Sequence, residues 1–195
     1  SPNEAGKILN RWFDINKEYK KLSRNSILNL SKMYNLPFII KNLPIVNKLG
    51  LVNQFFPEAR YIYLKRDVFP TAYSIMNSRR KLFGNSNSWF GTKPTGFEKI
   101  QNESPYYQIL WQIKKIDEII QSFLADSKKF NIILEYEELC DNPQAVLKNI
   151  QNAFVLKPAK VVQYKFFNYK TIKDIPLNDL DSIISNYRVL DGQIE

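Results

Sequence analysis

The chain has 195 residues, 44% of them hydrophobic, and carries 28 Lys and Arg against 19 Asp and Glu, for a net charge of +9. It is long enough to bury a core as one domain, and its charge favours an anionic partner: a nucleotide, an acidic substrate, nucleic acid or a membrane surface. It has no histidine and only Cys140, which excludes an intrachain disulfide, a thiolate metal cluster and a histidine general base.

In chain order, residues 5–22 place Ile8, Leu9, Trp12, Phe13 and Ile15 on a helix-like stripe. The apolar run Pro37 to Ile40 reads as a strand and Leu43 to Phe55 as a helix. Arg60 to Leu64 reads as a second strand and Thr71 to Arg80 as its following helix, a βαβα order that implies a parallel sheet. Asn85 to Glu103 is rich in Gly, Ser, Asn, Thr and Pro and is the longest loop, either a substrate-facing lid or a disordered excursion. Ser104-Pro105 are N-cap and N1 signals for a long helix with Ile109, Leu110, Ile113, Ile116, Ile120 and Phe123 on one face. Asn131 to Leu134 reads as a third strand and Pro143 to Phe154 as a helix, while the last forty residues give weaker signals. No stretch approaches the length of a membrane span and no signal peptide is visible.

The strand Tyr61 to Leu64 runs almost directly into Arg66, with Ser74 on the next helix. A strand followed at once by a helix sets the intervening residues at the carboxyl edge of an α/β sheet, where such folds bind ligands. An arginine, a hydroxyl and a helix N-terminus together describe a phosphate site. The same residues also describe an ordinary helix cap, with Asp67 at the N-cap and a solvated arginine beside it.

Read with its flanks, the segment resembles the 3′-phosphate-binding motif of sulfotransferases that use 3′-phosphoadenosine 5′-phosphosulfate (PAPS): a Phe-Pro, an apolar strand, an Arg-Asp-Pro and a Ser on the following helix. Phe56-Pro57, Tyr61 to Leu64, Arg66-Asp67 and Ser74 match, and Val68 replaces the expected proline. Upstream, FIIKNLPIVNKLGLV is similar to the family's strand-to-helix element, which makes Lys41 a sulfonate-contacting residue by resemblance. Downstream, NIILEYEELCDNPQAVLKNIQNAFVL resembles the family's late strand, its Tyr-Glu-Asp/Glu-Leu motif, an Asn/Asp-Pro and an amphipathic helix, which puts Tyr136 beside the adenine. SWFGTKPTG, Ser88 to Gly96, looks like a loop of some bacterial members.

The resemblance implies a single sulfotransferase-like α/β domain over residues 1–195, of the P-loop-NTPase-like three-layer type, with a central parallel sheet flanked by helices. It implies sulfonate transfer from PAPS to a hydroxyl or amine of a small-molecule, glycan or peptide acceptor, with Lys41 on the sulfonate, Arg66 and Ser74 on the 3′-phosphate and Tyr136 on the base. It implies no metal and no nucleic-acid partner, and suits a cytoplasmic, reducing compartment. One departure stands out: no Gly-x-x-Arg/Lys-Ser/Thr-Gly-Ser/Thr run occurs, the six glycines being scattered. The expectation is that an upstream segment carries this phosphosulfate cradle. Without histidine the base is expected to be a carboxylate, and none is assigned. Two other classes share the charge and the pattern: a P-loop-fold kinase, and a non-catalytic basic module for nucleic acid or acidic glycan.

Five further features have two readings each. Trp111 reads as core rather than ligand contact, and Trp89-Phe90 as substrate contact or loop anchor equally. Tyr164 to Lys170 interleaves aromatics with lysines as single-strand binders do, but reads better as a half-buried strand. Arg79, Arg80 and Lys81 are accounted for by the dipole at their helix's end, and Glu137-Glu138 by a helix start.

Overall fold

The computed structural model describes residues 17–126, 131–156 and 168–192. The chain packs as two compact units, Ser1–Ala59 with Gly91–Thr95, and Arg60–Phe90 with Gly96–Glu195.

In the first unit, helix α1 is described over Lys17–Tyr34. It ends on Asn35 in the left-handed region (φ 50°), a conformation asparagine tolerates better than most residues, and the Leu36 amide closes back onto the Ser31 carbonyl. Arg24 ties α1 to the chain below it by donating to the Phe55 carbonyl at 2.6 Å and pairing with Glu58 at 2.7 Å.

The strand expected over Pro37 to Ile40 is absent: these residues lie in neither strand nor helix, and Ile39 is 81% exposed. An apolar run becomes a strand only where a neighbouring strand takes its N–H and C=O groups, and among the described residues none lies alongside it. The helix expected over Leu43 to Phe55 is two pieces, a 3₁₀ turn at Leu43–Lys48 and helix α2 at Leu49–Phe55. Pro44 starts the turn, and Lys48 (φ −132°, ψ 18°) breaks the helical path before α2 begins.

In the second unit, strands β1 (Tyr61–Lys65) and β2 (Asn131–Glu135) pair in parallel, Tyr61 opposite Asn131 through Lys65 opposite Glu135. This pair is the whole sheet among the described residues. The crossover between them runs through α3 (Val68–Phe83) and α4 (Pro105–Asp126). Helix α4 meets β1 through an edge-on Tyr61–Phe123 contact at 5.0 Å and a hydrogen bond from the Tyr63 phenol to Asp117 at 2.8 Å. Burial and the neighbouring carboxylate push the Tyr63 phenol well above its ordinary range.

Helix α3 starts three residues before the expected Thr71 because Asp67 caps it, accepting from the Phe69 amide at 2.9 Å. Pro70 falls in the first turn, where a missing N–H costs nothing. The helix stops at Gly84, whose φ of 70° suits a residue without a Cβ. After β2 come the short α5 (Tyr136–Asp141) and α6 (Pro143–Phe154), the latter capped by Asn142 on the Ala145 amide at 3.2 Å.

A further helix, α7 (Leu177–Asp191), completes the unit. Its Ile183 and Leu190 join Ala72, Tyr73 and Met76 of α3 and Tyr106, Tyr107, Ile109 and Leu110 of α4 in the core. The strand expected over Tyr164 to Lys170 falls largely outside the described residues, and its described part, 168–170, is not in a strand.

The basic cluster at the end of α3 does more than face the helix dipole. Arg79 is fully buried, donates to the Ser86 carbonyl and Gln108 at 3.1 Å, and lies 5.2 Å from the Trp89 ring. Desolvation pulls its pKa down from the usual arginine range. Trp89 packs edge-on against Phe97 at 4.3 Å, and the Phe90 carbonyl accepts from Gln112, so this pair anchors its loop. Trp111 packs against the core, as its helical stripe predicts.

Arg80 pairs with Asp179 of α7 through two hydrogen bonds of 2.8 and 3.2 Å, and the Tyr106 phenol of α4 donates to the same carboxylate at 2.6 Å. Asp179 thus joins three helices, and Arg80, followed by the Tyr106 phenol, holds its carboxyl below the usual carboxylate range against the opposing effect of burial. A depressed folded-state pKa contributes stability at pH values above the unfolded pKa, and that stability is lost as pH falls through the folded one. Asp179→Ala should therefore lower stability near neutrality by about 1–3 kcal/mol, since it strips the Tyr106 phenol of its acceptor. Thermal melts between pH 7 and about 2 should show this difference narrowing below about pH 4. A pH-independent difference would assign the loss to packing.

Candidate functional site

The parallel register sets the site. Lys65 and Glu135 are paired, so Arg66 and Tyr136, each the first residue beyond its strand, emerge side by side at the carboxyl edge of the sheet. The Arg66 guanidinium lies over the Tyr136 ring, 4.8 Å from its centroid. Its Nη2 donates to the Lys170 carbonyl at 3.3 Å, and its Nε is buried without a hydrogen-bond partner among the described residues. An arginine so placed keeps donor capacity that an oxyanion of phosphate geometry satisfies.

The helix N-terminus beside it is partly taken. Asp67 occupies the Phe69 amide, and its own amide donates to Glu137 at 3.3 Å. Glu137-Glu138 lie in the first turn of α5, as their helix-start reading predicts. The guanidinium, rather than the first amides of α3, is therefore the donor open to an anion.

Tyr136 is half-buried. The Cys140 thiol and burial push its pKa up, and the Arg66 charge opposes them. The Tyr169 ring stands edge-on to it at 6.1 Å, and the Tyr169 phenol donates to Asp141 at 3.1 Å. Lys170 sets its ammonium 5.2 Å from the ring of Tyr73, the residue before Ser74 on α3. A capping box between Thr171 and Asp174 fixes the turn that follows.

Of the four residues singled out from sequence, Arg66 and Tyr136 are thus brought into contact. Ser74 is exposed on the second turn of α3, and its carbonyl accepts from the Ser78 hydroxyl at 3.0 Å. Lys41 lies in the first unit, exposed on the irregular segment just before the Leu43–Lys48 turn. Sequence reading missed Tyr169 and Lys170, whose only signal was the alternation of aromatics and lysines. Among the described residues no three His, Cys, Asp or Glu side chains gather as metal ligands do, and no helix is long and apolar enough to cross a membrane.

The sequence model of the Sulfotransferase family matches residues 2–157, and the chain belongs to that family. The match spans Lys41, Arg66, Ser74 and Tyr136 and stops short of Tyr169 and Lys170. No curated protein and no solved structure matches the chain.

Proposed function

We propose that the chain binds PAPS through its 3′-phosphate and takes part in sulfonate transfer to a hydroxyl or amine of a small-molecule, glycan or peptide acceptor, on a P-loop-like three-layer fold. The observation that carries this reading is the Arg66 guanidinium, stacked on Tyr136 and steadied by the Lys170 carbonyl, with an Nε that has no hydrogen-bond partner among the described residues. A planar guanidinium with N–H donors beyond the one that Lys170 takes fits a phosphate oxygen. PAPS, when bound, would supply an activated sulfonate: the acceptor oxygen or nitrogen would bond to sulfur as the S–O bond to the 5′-phosphate breaks, with adenosine 3′,5′-bisphosphate as the leaving group.

The residues of this chain position and neutralise, which is most of what such a transfer asks of a protein. Arg66 holds the 3′-phosphate with a charge-assisted contact, and Ser74 adds a hydroxyl from α3. Lys41 hydrogen-bonds a sulfonate oxygen. The given chain offers no histidine for the proton leaving the acceptor, so among its own side chains a carboxylate is the candidate base.

Thermal shift tests the reading directly. Adenosine 3′,5′-bisphosphate should raise the melting temperature well above the shifts given by ATP or AMP at equal concentration, because it alone offers a 3′-phosphate. A larger shift with ATP points to a kinase, and equal shifts with all three to a generic anion surface.

Ser74→Ala should be milder than loss of Arg66. A neutral hydroxyl contact contributes about 0.5–1.5 kcal/mol, so bisphosphate affinity should fall by roughly 2- to 13-fold with AMP affinity unchanged. An equal loss for AMP, read by calorimetry, moves Ser74 from ligand contact to helix packing.

A further inference from the structure

We propose that Tyr136 is a positioning residue that acts on the nucleotide through Arg66 and not by contact with the base. The inference rests on the 3′-phosphate reading of Arg66 and departs from the adenine contact that resemblance assigns to Tyr136.

The tyrosine is already engaged within the protein. The guanidinium lies on its ring at 4.8 Å, and Tyr169 stands edge-on at 6.1 Å. Tyr169 is in turn held by Asp141 of α5, the helix that Tyr136 begins. These contacts form a brace running from Asp141 through Tyr169 and Tyr136 to Arg66. The parallel register builds it into the fold, because Arg66 and Tyr136 continue the pairing of Lys65 with Glu135.

An arginine side chain has many rotamers, and fixing it before the ligand arrives removes an ordering cost from binding. The ring's negative face holds the cation, while the Lys170 carbonyl takes Nη2 and directs the rest of the fork away from itself. A side chain that works in this way affects ligands according to whether they carry the phosphate that Arg66 holds. A base contact would affect every adenosine ligand alike.

Calorimetric titration of the chain with adenosine 3′,5′-bisphosphate and with AMP separates the two. Tyr136→Leu should weaken the bisphosphate by about 3- to 30-fold and leave AMP within about twofold, whereas Tyr136→Phe, which keeps the ring, should bind both nearly as the unaltered chain does. In an Arg66→Ala background, Tyr136→Leu should have no further effect on the bisphosphate. If Tyr136→Leu folds poorly, phenylalanine at position 136 carrying increasing numbers of fluorines keeps the shape and drains the ring's negative face. Bisphosphate affinity should then fall step by step with fluorination. Equal losses for bisphosphate and AMP, an undiminished effect without Arg66, or no trend with fluorination overturns the proposal and leaves the phosphate site standing. An unaltered chain that binds the bisphosphate no better than AMP overturns the phosphate site itself, and this proposal with it.

Discussion

Arg66→Ala lowers affinity for adenosine 3′,5′-bisphosphate by about 10- to 150-fold, the equivalent of the roughly 1.5–3 kcal/mol of a charge-assisted contact to phosphate. The fold should survive, since the side chain is half-buried and its hydrogen bond to the Lys170 carbonyl is long at 3.3 Å. Removing it also takes away a buried Nε that has no partner among the described residues, which offsets part of the lost stacking on Tyr136. Arg66→Lys should recover only a fraction of the affinity, because an ammonium keeps the charge and loses the planar fork. Calorimetry on a variant whose melting curve matches the parent reads the result. Unchanged affinity in a folded Arg66→Ala protein removes the phosphate from this place.

The ease of reading Arg66 from sequence, and the difficulty of reading its surroundings, have one physical cause. Strand β1, helix α3 and the Asn142-Pro143 start of α6 are written in adjacent residues: alternation, an Asp cap, a Pro at N1. Local signals of that kind put Arg66 at a strand-to-helix edge. Its brace is built from residues 70 and more than 100 positions away, Tyr136 and Lys170, and only the pairing of β1 with β2 and the packing of the 168–171 segment bring them in. Tyr136 was legible through its motif. Its contact with Arg66 was not.

The misreadings follow the same division. Pro37 to Ile40 has the composition of a buried strand, but whether a strand exists is decided by a neighbour that the run itself does not encode. Helix α7 escaped notice because it lacks a side-chain cap and is diluted with Asn, Asp and Ser, although Leu180, Ile183, Tyr187 and Leu190 keep a helical spacing on the side that packs. Arg80 looked like a dipole partner because Asp179, with which it pairs, lies 99 positions on.

Lys41→Ala separates the reacting end of the ligand from the end that Arg66 holds. Charge develops on the sulfonate oxygens as transfer proceeds, and removal of one donor aimed at such charge costs on the order of 100- to 1000-fold in turnover. The bisphosphate product carries no sulfonate, so its affinity should stay within about twofold of the parent. Steady-state turnover of PAPS in the transfer-competent protein, set against calorimetry with the bisphosphate, gives both numbers. The fold should tolerate the change, because Lys41 is exposed on a segment that pairs with no strand among the described residues. A drop in turnover with affinity preserved makes Lys41 a group that works in the transition state. Equal losses make it a ground-state binder, and no loss in either makes it a surface lysine beside the Leu43–Lys48 turn. The reverse pattern in Arg66→Ala, affinity lost before turnover at saturation, completes the argument: a residue that grips a part of the ligand unchanged by reaction contributes equally to ground and transition states.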